Sequence, residues 1–151
     1  MVQSSVVQAT FKVVVDYRKS LAEMISAGKY DWPDSDITQK HFPVKGRGQQ
    51  EVEVALFHFK KIMISKEVIA EMAKGDYRPA EIEKLLALGA SQPELQKEFP
   101  IVGLGSVWQG PFGFRLVPCL GWRGAGRDLG LRWFEDGWSG RCRFAAVRQS
   151  A

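Results

Sequence analysis

The sequence contains few of the residues and motifs that usually identify an enzyme. Its 151 residues include only two histidines and two cysteines. It has no phosphate-binding P-loop, no zinc-binding pair of histidines on a helix, no EF-hand loop and no Cys-x-x-Cys pair. The glycines at positions 103 and 105, with Ser106, lack the spacing of a hydrolase nucleophile elbow. We therefore predict no cofactor and no metal site.

The sequence also lacks any long apolar run. No stretch approaches the roughly eighteen consecutive apolar residues that a membrane span requires. The first eight residues have no basic start of the kind found in secretory signals. Cys119 and Cys142 are too few for a disulfide scaffold, and both fall in predicted strands, which favours buried free thiols. Together these absences predict a cytoplasmic protein without a membrane partner.

The residues that are present are typical of one folded domain, which we predict to span residues 1–151. Hydrophobic residues make up 45% of the chain, enough to fill a core. The net charge of +4 comes from residues 101–151, which hold seven Arg, no Lys and three acidic residues. The same segment holds four of the five Trp and ten of the fifteen Gly. We therefore expect the function in this segment.

The first hundred residues show strand and helix patterns. Alternating apolar residues predict strands over 11–17 and 50–59, and a segment rich in Pro, Gly and Asp predicts a long loop over 30–48. Helical spacing predicts helices over residues 21–28, 65–75, 79–89 and 93–99. Ser65 is expected to cap the second helix, and Pro79 to occupy the first position of the third. The residues predicted to face the core include Val52, Val54, Leu56, Val68, Ile69, Met72, Ile82, Leu85 and Leu86.

The last fifty residues predict short strands separated by glycine-containing turns. The expected strands cover residues 101–108, 112–119, 127–134 and 142–148. Short strands joined by such turns are typical of an antiparallel meander. The predicted fold class is α+β. It has an antiparallel sheet of five or six strands, two or three helices on one side and a C-terminal β-meander.

The chain resembles two kinds of protein. Over its whole length it resembles an uncharacterised family of small bacterial proteins with similar Tyr-Asp-Trp, Arg-Pro-Ala and Phe-Pro-Ile-Val-Gly-Leu-Gly-Ser segments. Residues 65–148 are similar to C-type-lectin-like domains, because Tyr-Arg-Pro-Ala opens a helix before a meander that ends in Arg-Phe-Ala-Ala-Val-Arg. The lectin-like calcium triplet and catalytic cysteine pair are absent. That resemblance implies a binding scaffold without calcium.

Two predicted turns combine indole, guanidinium and glycine. The first contains Trp122, Arg123 and Arg127, and the second contains Trp138 and Arg141. Arg forms bidentate bonds with carboxylates and phosphates and stacks on aromatic rings, while Gly lets a ligand approach the backbone. A charge of +4 is small for a nucleic-acid-binding protein, which argues against that partner. A sheet face kept soluble by outward Arg side chains is the structural alternative.

The leading hypothesis is a non-enzymatic binding module for an anionic or sugar-like ligand or a protein partner. It would use these two turns, with Trp32 and His41 from the long loop. On this hypothesis, replacing Arg123 and Arg127 with Ala abolishes ligand binding and leaves the thermal midpoint nearly unchanged.

Two other hypotheses remain open from the sequence. The first is an enzyme with an unrecognised site, in which His41 acts as a base beside Asp31, Asp34 and Asp36. His58 is interpreted as a core or edge histidine. The second is a structural or oligomerising accessory protein, such as a homodimer with Trp residues buried at its interface.

Overall fold

The α+β class is confirmed in the computed structural model, which describes residues 6–150. Its three α-helices in this range are α1 (Leu21–Gly28), α2 (Ser65–Lys74) and α3 (Ile82–Ser91). Two short 3-10 turns cover Leu95–Lys97 and Pro111–Gly113. No helix among the described residues is both long and apolar enough to cross a membrane.

The main sheet is larger than predicted, and it is mixed. Its strands within residues 6–150 are β1 (Val7–Asp16), β2 (Trp32–Pro33), β3 (Gln49–Phe57), β5 (Tyr77–Pro79), β6 (Ile101–Val102), β7 (Trp108–Gln109), β8 (Arg115–Arg123), β9 (Gly126–Trp133) and β11 (Arg143–Arg148). A separate two-stranded sheet pairs β4 (Met63–Ile64) with β10 (Gly137–Trp138). Two pairs in the main sheet are parallel, β2 with β9 and β6 with β11. The predicted antiparallel sheet of five or six strands is therefore wrong in size and in direction.

The last strand does not continue a meander. The order of the main sheet is β1-β3-β11-β6-β8-β9-β2, so β11 lies between β3 and β6. The first three expected strands do pair in order, since β6 and β7 lie antiparallel to β8, and β8 lies antiparallel to β9. Because β11 returns to the centre of the sheet, both of its edges are hydrogen-bonded.

Helices cover both faces of the sheet, whereas the sequence predicted helices on one side. Val54 and Leu56 of β3 pack in the same core cluster as residues of α1 and α3. Ala55 and Phe57 of the same strand belong to a second cluster that includes α2 residues. Successive side chains of a strand point to opposite faces, so these two clusters lie on opposite sides of the sheet. The end of β3, from residue 54 to residue 57, is therefore buried on both faces.

Several local predictions are confirmed, and others are wrong. The helix predicted over residues 93–99 is only a 3-10 turn over Leu95–Lys97. Helix α2 is followed by Gly75 as predicted, and Ile82, Leu85 and Leu86 of α3 are buried. Pro79 does not open α3, because residues 77–79 form a strand beside β11. Ser65 is the first residue of α2 rather than its cap. Its hydroxyl donates to the carbonyl of Phe134 instead.

Helix α3 is capped from a distant loop. The Oγ of Ser106 accepts a hydrogen bond of 2.8 Å from the backbone N–H of Ile82, the first residue of α3. The adjacent Gly105 donates its N–H to the carbonyl of Ala80 at 3.0 Å. The glycine-rich segment before β7 therefore attaches to the start of a helix that precedes it in the chain.

We expect Ser106→Ala to lower the free energy of unfolding by about 1 kcal/mol, because one helix N–H loses its acceptor. Urea unfolding followed by circular dichroism measures this change. Ser106→Thr keeps the hydroxyl and serves as the matched control, which should stay closer to the parent protein. Equal stabilities for Ser106→Ala and the parent would contradict the role of the hydroxyl.

Candidate functional site

The topology brings three distant segments together at one end of the sheet. Strand β11 is antiparallel to β3 and parallel to β6. The residues after β3, those before β11 and those before β6 consequently meet at the same end of three adjacent strands. No local pattern in the sequence joins these segments, and we did not predict them as a group.

These segments form a pocket of about 500 Å³, which we call the basic pocket. It is lined by His58, Lys60, Glu98, Phe99, Gly140, Arg141 and Arg143. Three of its side chains carry fixed positive charge, His58 adds an imidazole, and Glu98 is its one carboxylate. Within residues 6–150, none of the three cations forms a salt bridge. The pocket therefore has an excess of positive charge that is not neutralised by the protein's own ion pairs.

Arg143 is held in place by contacts on several sides. Its Nε donates to the side-chain oxygen of Gln8 at 2.5 Å, and its Nη1 donates to the carbonyl of Arg141 at 2.5 Å. Its guanidinium lies 4.0 Å from the ring centroid of Phe99. Partial burial and the charge of Arg141 together hold the pKa of Arg143 below its ordinary value. An anion between the two guanidiniums would offset this repulsion.

Arg141 is freer than Arg143. Its side chain is exposed, and its guanidinium makes one long contact of 3.4 Å with the carbonyl of Glu98. The nearby imidazole of His58 donates from Nε2 to the carbonyl of Gly140 at 2.7 Å. Chemically, this arrangement offers one positioned guanidinium, one exposed guanidinium and one ammonium to an anionic group.

Gly140 allows the two walls of this pocket to approach each other. A Cβ at this position would lie 3.1 Å from backbone atoms of Lys60 and Lys61, a contact tighter than most Cβ contacts. Lys60 itself has a left-handed backbone with φ of 57°. This conformation is uncommon in residues other than Gly, and it turns the chain sharply after β3.

Arg127, predicted to bind ligand, is buried instead. Only 7% of its surface is exposed. It donates to the carbonyls of Gly28 at 2.5 Å and Gly89 at 2.9 Å, and to the side chain of Gln96 at 2.9 Å. Its guanidinium also lies 4.7 Å from the ring centroid of Tyr30. These contacts join α1, α3, the 3-10 turn and β9, so the side chain is occupied by the fold.

Trp138, the other indole of the predicted surface, is also part of the interior. It is 1% exposed, and its Nε1 donates to the hydroxyl of Ser65 at 2.8 Å. Its ring packs edge-on against Phe144 with centroids 5.9 Å apart. Trp138 therefore joins the small second sheet to α2 and β11 and does not offer a binding platform.

Trp32 and Arg123 lie together in a different pocket. The guanidinium of Arg123 is 5.0 Å from the indole centroid of Trp32. This pocket of about 530 Å³ is also lined by Asp31, Asp34 and Asp128. We call it the Trp32 pocket. Its three carboxylates and single guanidinium give it an excess of negative charge, so it favours a different ligand from the basic pocket.

The other two residues predicted to bind ligand line neither of these two pockets. Trp122 is exposed, with the ammonium of Lys97 5.0 Å from its ring centroid. His41 stacks on Trp108 with centroids 3.8 Å apart.

The enzyme hypothesis required His41 to meet a carboxylate. Its Nδ1 instead bonds to the backbone carbonyl of Asp36 at 2.8 Å. The carboxylate of Asp31 accepts the backbone N–H of Arg127 at 2.8 Å, and that of Asp34 accepts the N–H of Asp36 at 2.8 Å. Within residues 6–150, the His41 ring has no hydrogen bond to a carboxylate. The loop carboxylates thus stabilise turns and the contact with β9.

The prediction that both cysteines are buried free thiols is confirmed. Cys119 and Cys142 are both buried and both free. Burial raises the pKa of the Cys119 thiol to about 12. Cys119 is therefore protonated at neutral pH and a poor nucleophile.

The seven side chains predicted to form one surface are thus divided between the interior and several separate surface sites. Arg141 alone among them lines the basic pocket, and Trp32 and Arg123 line the Trp32 pocket. Comparison with protein-family models, with curated proteins and with solved structures finds no match to this chain.

Proposed function

We propose that this protein is a binding module for a small, multiply charged anion, and that the basic pocket is its binding site. The supporting observation is that Arg141, Arg143 and Lys60 surround one pocket without a salt bridge among residues 6–150. Placing several like charges together without neutralising them costs free energy. The binding of a ligand of opposite charge offsets that cost. The proposal retains the anionic ligand, one of the ligands expected from the sequence, and of the seven residues predicted for the site it retains only Arg141.

The chemistry of the lining favours phosphate or carboxylate groups. A guanidinium forms two parallel hydrogen bonds with either group, and such charge-assisted bonds are stronger than bonds between neutral groups. Arg143 is already oriented by Phe99 and Gln8, so little of its conformational entropy remains to be lost on binding. Lys60 adds a third positive charge. A volume of about 500 Å³ accommodates a small molecule.

The proposal predicts that inorganic pyrophosphate binds the protein and that Arg141→Ala weakens this binding at least about tenfold, because one charge-assisted contact is lost. Isothermal titration calorimetry measures the dissociation constant. The affinity of the parent protein should fall as salt is added, because exposed charges are screened. Arg141 is exposed, so its replacement should leave the thermal midpoint nearly unchanged.

Arg123→Ala is the matched control, because it removes the same charge from the Trp32 pocket. It should leave the pyrophosphate affinity unchanged. Absence of binding by the parent protein would contradict the proposal. So would a loss of affinity in Arg123→Ala that is not seen in Arg141→Ala, since the ligand would then belong to the Trp32 pocket. Citrate in the same titration distinguishes a carboxylate ligand from a phosphate ligand.

A further inference from the structure

Strand β1 forms one edge of the main sheet and has a free outer side. It is ten residues long and pairs only with β3 in the described part of the chain. A long edge strand presents unpaired N–H and C=O groups to another chain, and proteins usually shorten, cover or distort such edges. The register between β1 and β3 is regular from Ala9 to Asp16. From Ala9 to Asp16 the strand therefore has no bulge that would interrupt pairing along its outer side.

The ladder between β1 and β3 indicates which backbone groups point outward. The N–H of Tyr17 donates to the carbonyl of Gly48 at 2.8 Å, so Tyr17 faces β3. Residues of an antiparallel strand alternate between facing one neighbour and facing the other. The N–H and C=O groups of Lys12 and Val14 consequently point to the free edge. Val14 also has 56% of its surface exposed.

The side chains of this edge are complementary to themselves. If a second copy pairs antiparallel about a two-fold axis at Val14, the two Val14 side chains lie opposite each other. Lys12 then lies opposite Asp16 of the partner subunit, and this pair occurs twice. Within one chain the Asp16 carboxylate already accepts hydrogen bonds from Arg18, so Lys12 would join an existing ion pair. An axis at Lys12 would instead put the two lysines together. An axis at Val15 would put Lys12 opposite Arg18 of the partner subunit. The Val14 register therefore pairs opposite charges and buries an exposed valine.

An apolar groove continues the core beside this edge. Its volume is about 410 Å³, and it lies between β1 and the two helices α1 and α3. The apolar side chains of its wall are Val13, Val15, Met24, Ala27, Leu86, Ala87 and Ala90. Val13 and Val15 are already buried in their own subunit, so they do not enter the groove of the other copy. In the Val14 register the grooves of the two copies lie on the same face of the continuous sheet, so their apolar walls adjoin.

Glu83 is the buried carboxylate of this groove, and it is already satisfied. It accepts a hydrogen bond from the hydroxyl of Tyr17 at 2.9 Å and lies 3.2 Å from the ammonium of Lys84. Among the residues that the structure describes, the groove therefore has no unpaired buried charge that would require a charged ligand. An apolar occupant fits it better.

We propose that β1 pairs with β1 of a second copy of this chain, antiparallel about Val14, to form a continuous sheet across a two-fold dimer. No residue of the Val14 pairing lines the basic pocket, although Gln8 at the start of β1 contacts Arg143 there. It also differs from the dimer expected from the sequence, because no Trp lines the groove.

The first test is Val14→Pro. Proline removes the outward N–H without removing a β1–β3 hydrogen bond, and edge strands tolerate it at such positions. Sedimentation velocity of the parent protein should show a dimer, and Val14→Pro should sediment as a monomer with an unchanged circular dichroism spectrum. A parent protein that remains monomeric at concentrations up to about 1 mM would overturn the proposal. A dimeric Val14→Pro variant would also overturn it.

A charge exchange tests the register and does not depend on proline being tolerated. Lys12→Glu places two acidic pairs across the axis and should raise the dimer dissociation constant about tenfold. Adding Asp16→Lys restores opposite charges and should recover most of the affinity. Lys66→Glu, an exposed change on α2, is the matched control and should have no effect. If the double variant dimerises no better than Lys12→Glu, the Val14 register is wrong.

Discussion

Replacing Arg127 with Ala is expected to lower the free energy of unfolding by about 3–4 kcal/mol, which is large for a single substitution. The change leaves the carbonyls of Gly28 and Gly89 and the amide oxygen of Gln96 without their donors. Each buried acceptor left unsatisfied costs about 1–3 kcal/mol, reduced where water can enter the space. The ring of Tyr30 also loses the cation packed over it.

The position of these acceptors increases the effect. Gly28 ends α1, and Gly89 lies in the last turn of α3. Carbonyls in the last turn of a helix have no partner within the helix and carry partial negative charge. The guanidinium satisfies both helix ends at once. The same burial, opposed by the charge of Arg127, raises the pKa of Tyr30 to about 12, so Tyr30 stays neutral at neutral pH.

Urea unfolding of Arg127→Ala measures this loss, and Arg123→Ala is the matched control. Arg123 lies in the same hairpin but is exposed, so its replacement should change stability by no more than about 0.5 kcal/mol. The sequence hypothesis expected both variants to keep the parent thermal midpoint. Equal stability of the two variants would support that earlier expectation and contradict the structural role of Arg127.

Gly105→Ala is the second substitution with a large expected effect, a loss of about 3 kcal/mol. A Cβ at this position would lie 2.5 Å from the carbonyl oxygen of Ala80 and 2.6 Å from that of Pro79. Both atoms belong to backbone, so no side chain can rotate away. Ala80 is fully buried, and its own N–H donates to the carbonyl of Ala145 at 2.9 Å. The loop must therefore move, and the capping bond of Ser106 is stretched or lost.

Differential scanning calorimetry measures this effect, which should lower the thermal midpoint by roughly 10 °C. Gly130→Ala is the matched control on β9. The nearest atom to a Cβ there is a carboxylate oxygen of Asp128 at 3.8 Å, an ordinary contact. Gly130→Ala should therefore change the midpoint little. A Gly105→Ala variant that unfolds at the parent temperature would show that the loop relaxes freely.

The buried positions of the helices and long strands could be predicted because they follow from short-range periodicity. Val52, Val54 and Leu56 recur every second residue, and all three are buried. Ile82, Leu85 and Leu86 recur at helical spacing and are also buried. Each such pattern needs only a few neighbouring residues to be visible.

The candidate site could not be predicted in the same way. An Arg beside glycine has the same local pattern whether it is exposed, as Arg123 is, or buried, as Arg127 is. The acceptors that hold Arg127 come from residues 28, 89 and 96. The basic pocket likewise combines Lys60 with Arg141. Contacts over such separations leave no periodic signal near either partner.

The sequence by itself determined that this chain is α+β, that its positive charge lies in the arginine-rich last fifty residues, and that both cysteines are buried. Only the tertiary structure decided which arginines are free to bind. It places β11 between β3 and β6, which brings Arg141 and Arg143 to Lys60. It also takes Arg127 and Trp138 into the interior. The physical reason is that burial and strand order depend on pairing between distant segments, whereas composition and periodicity are properties of neighbouring residues.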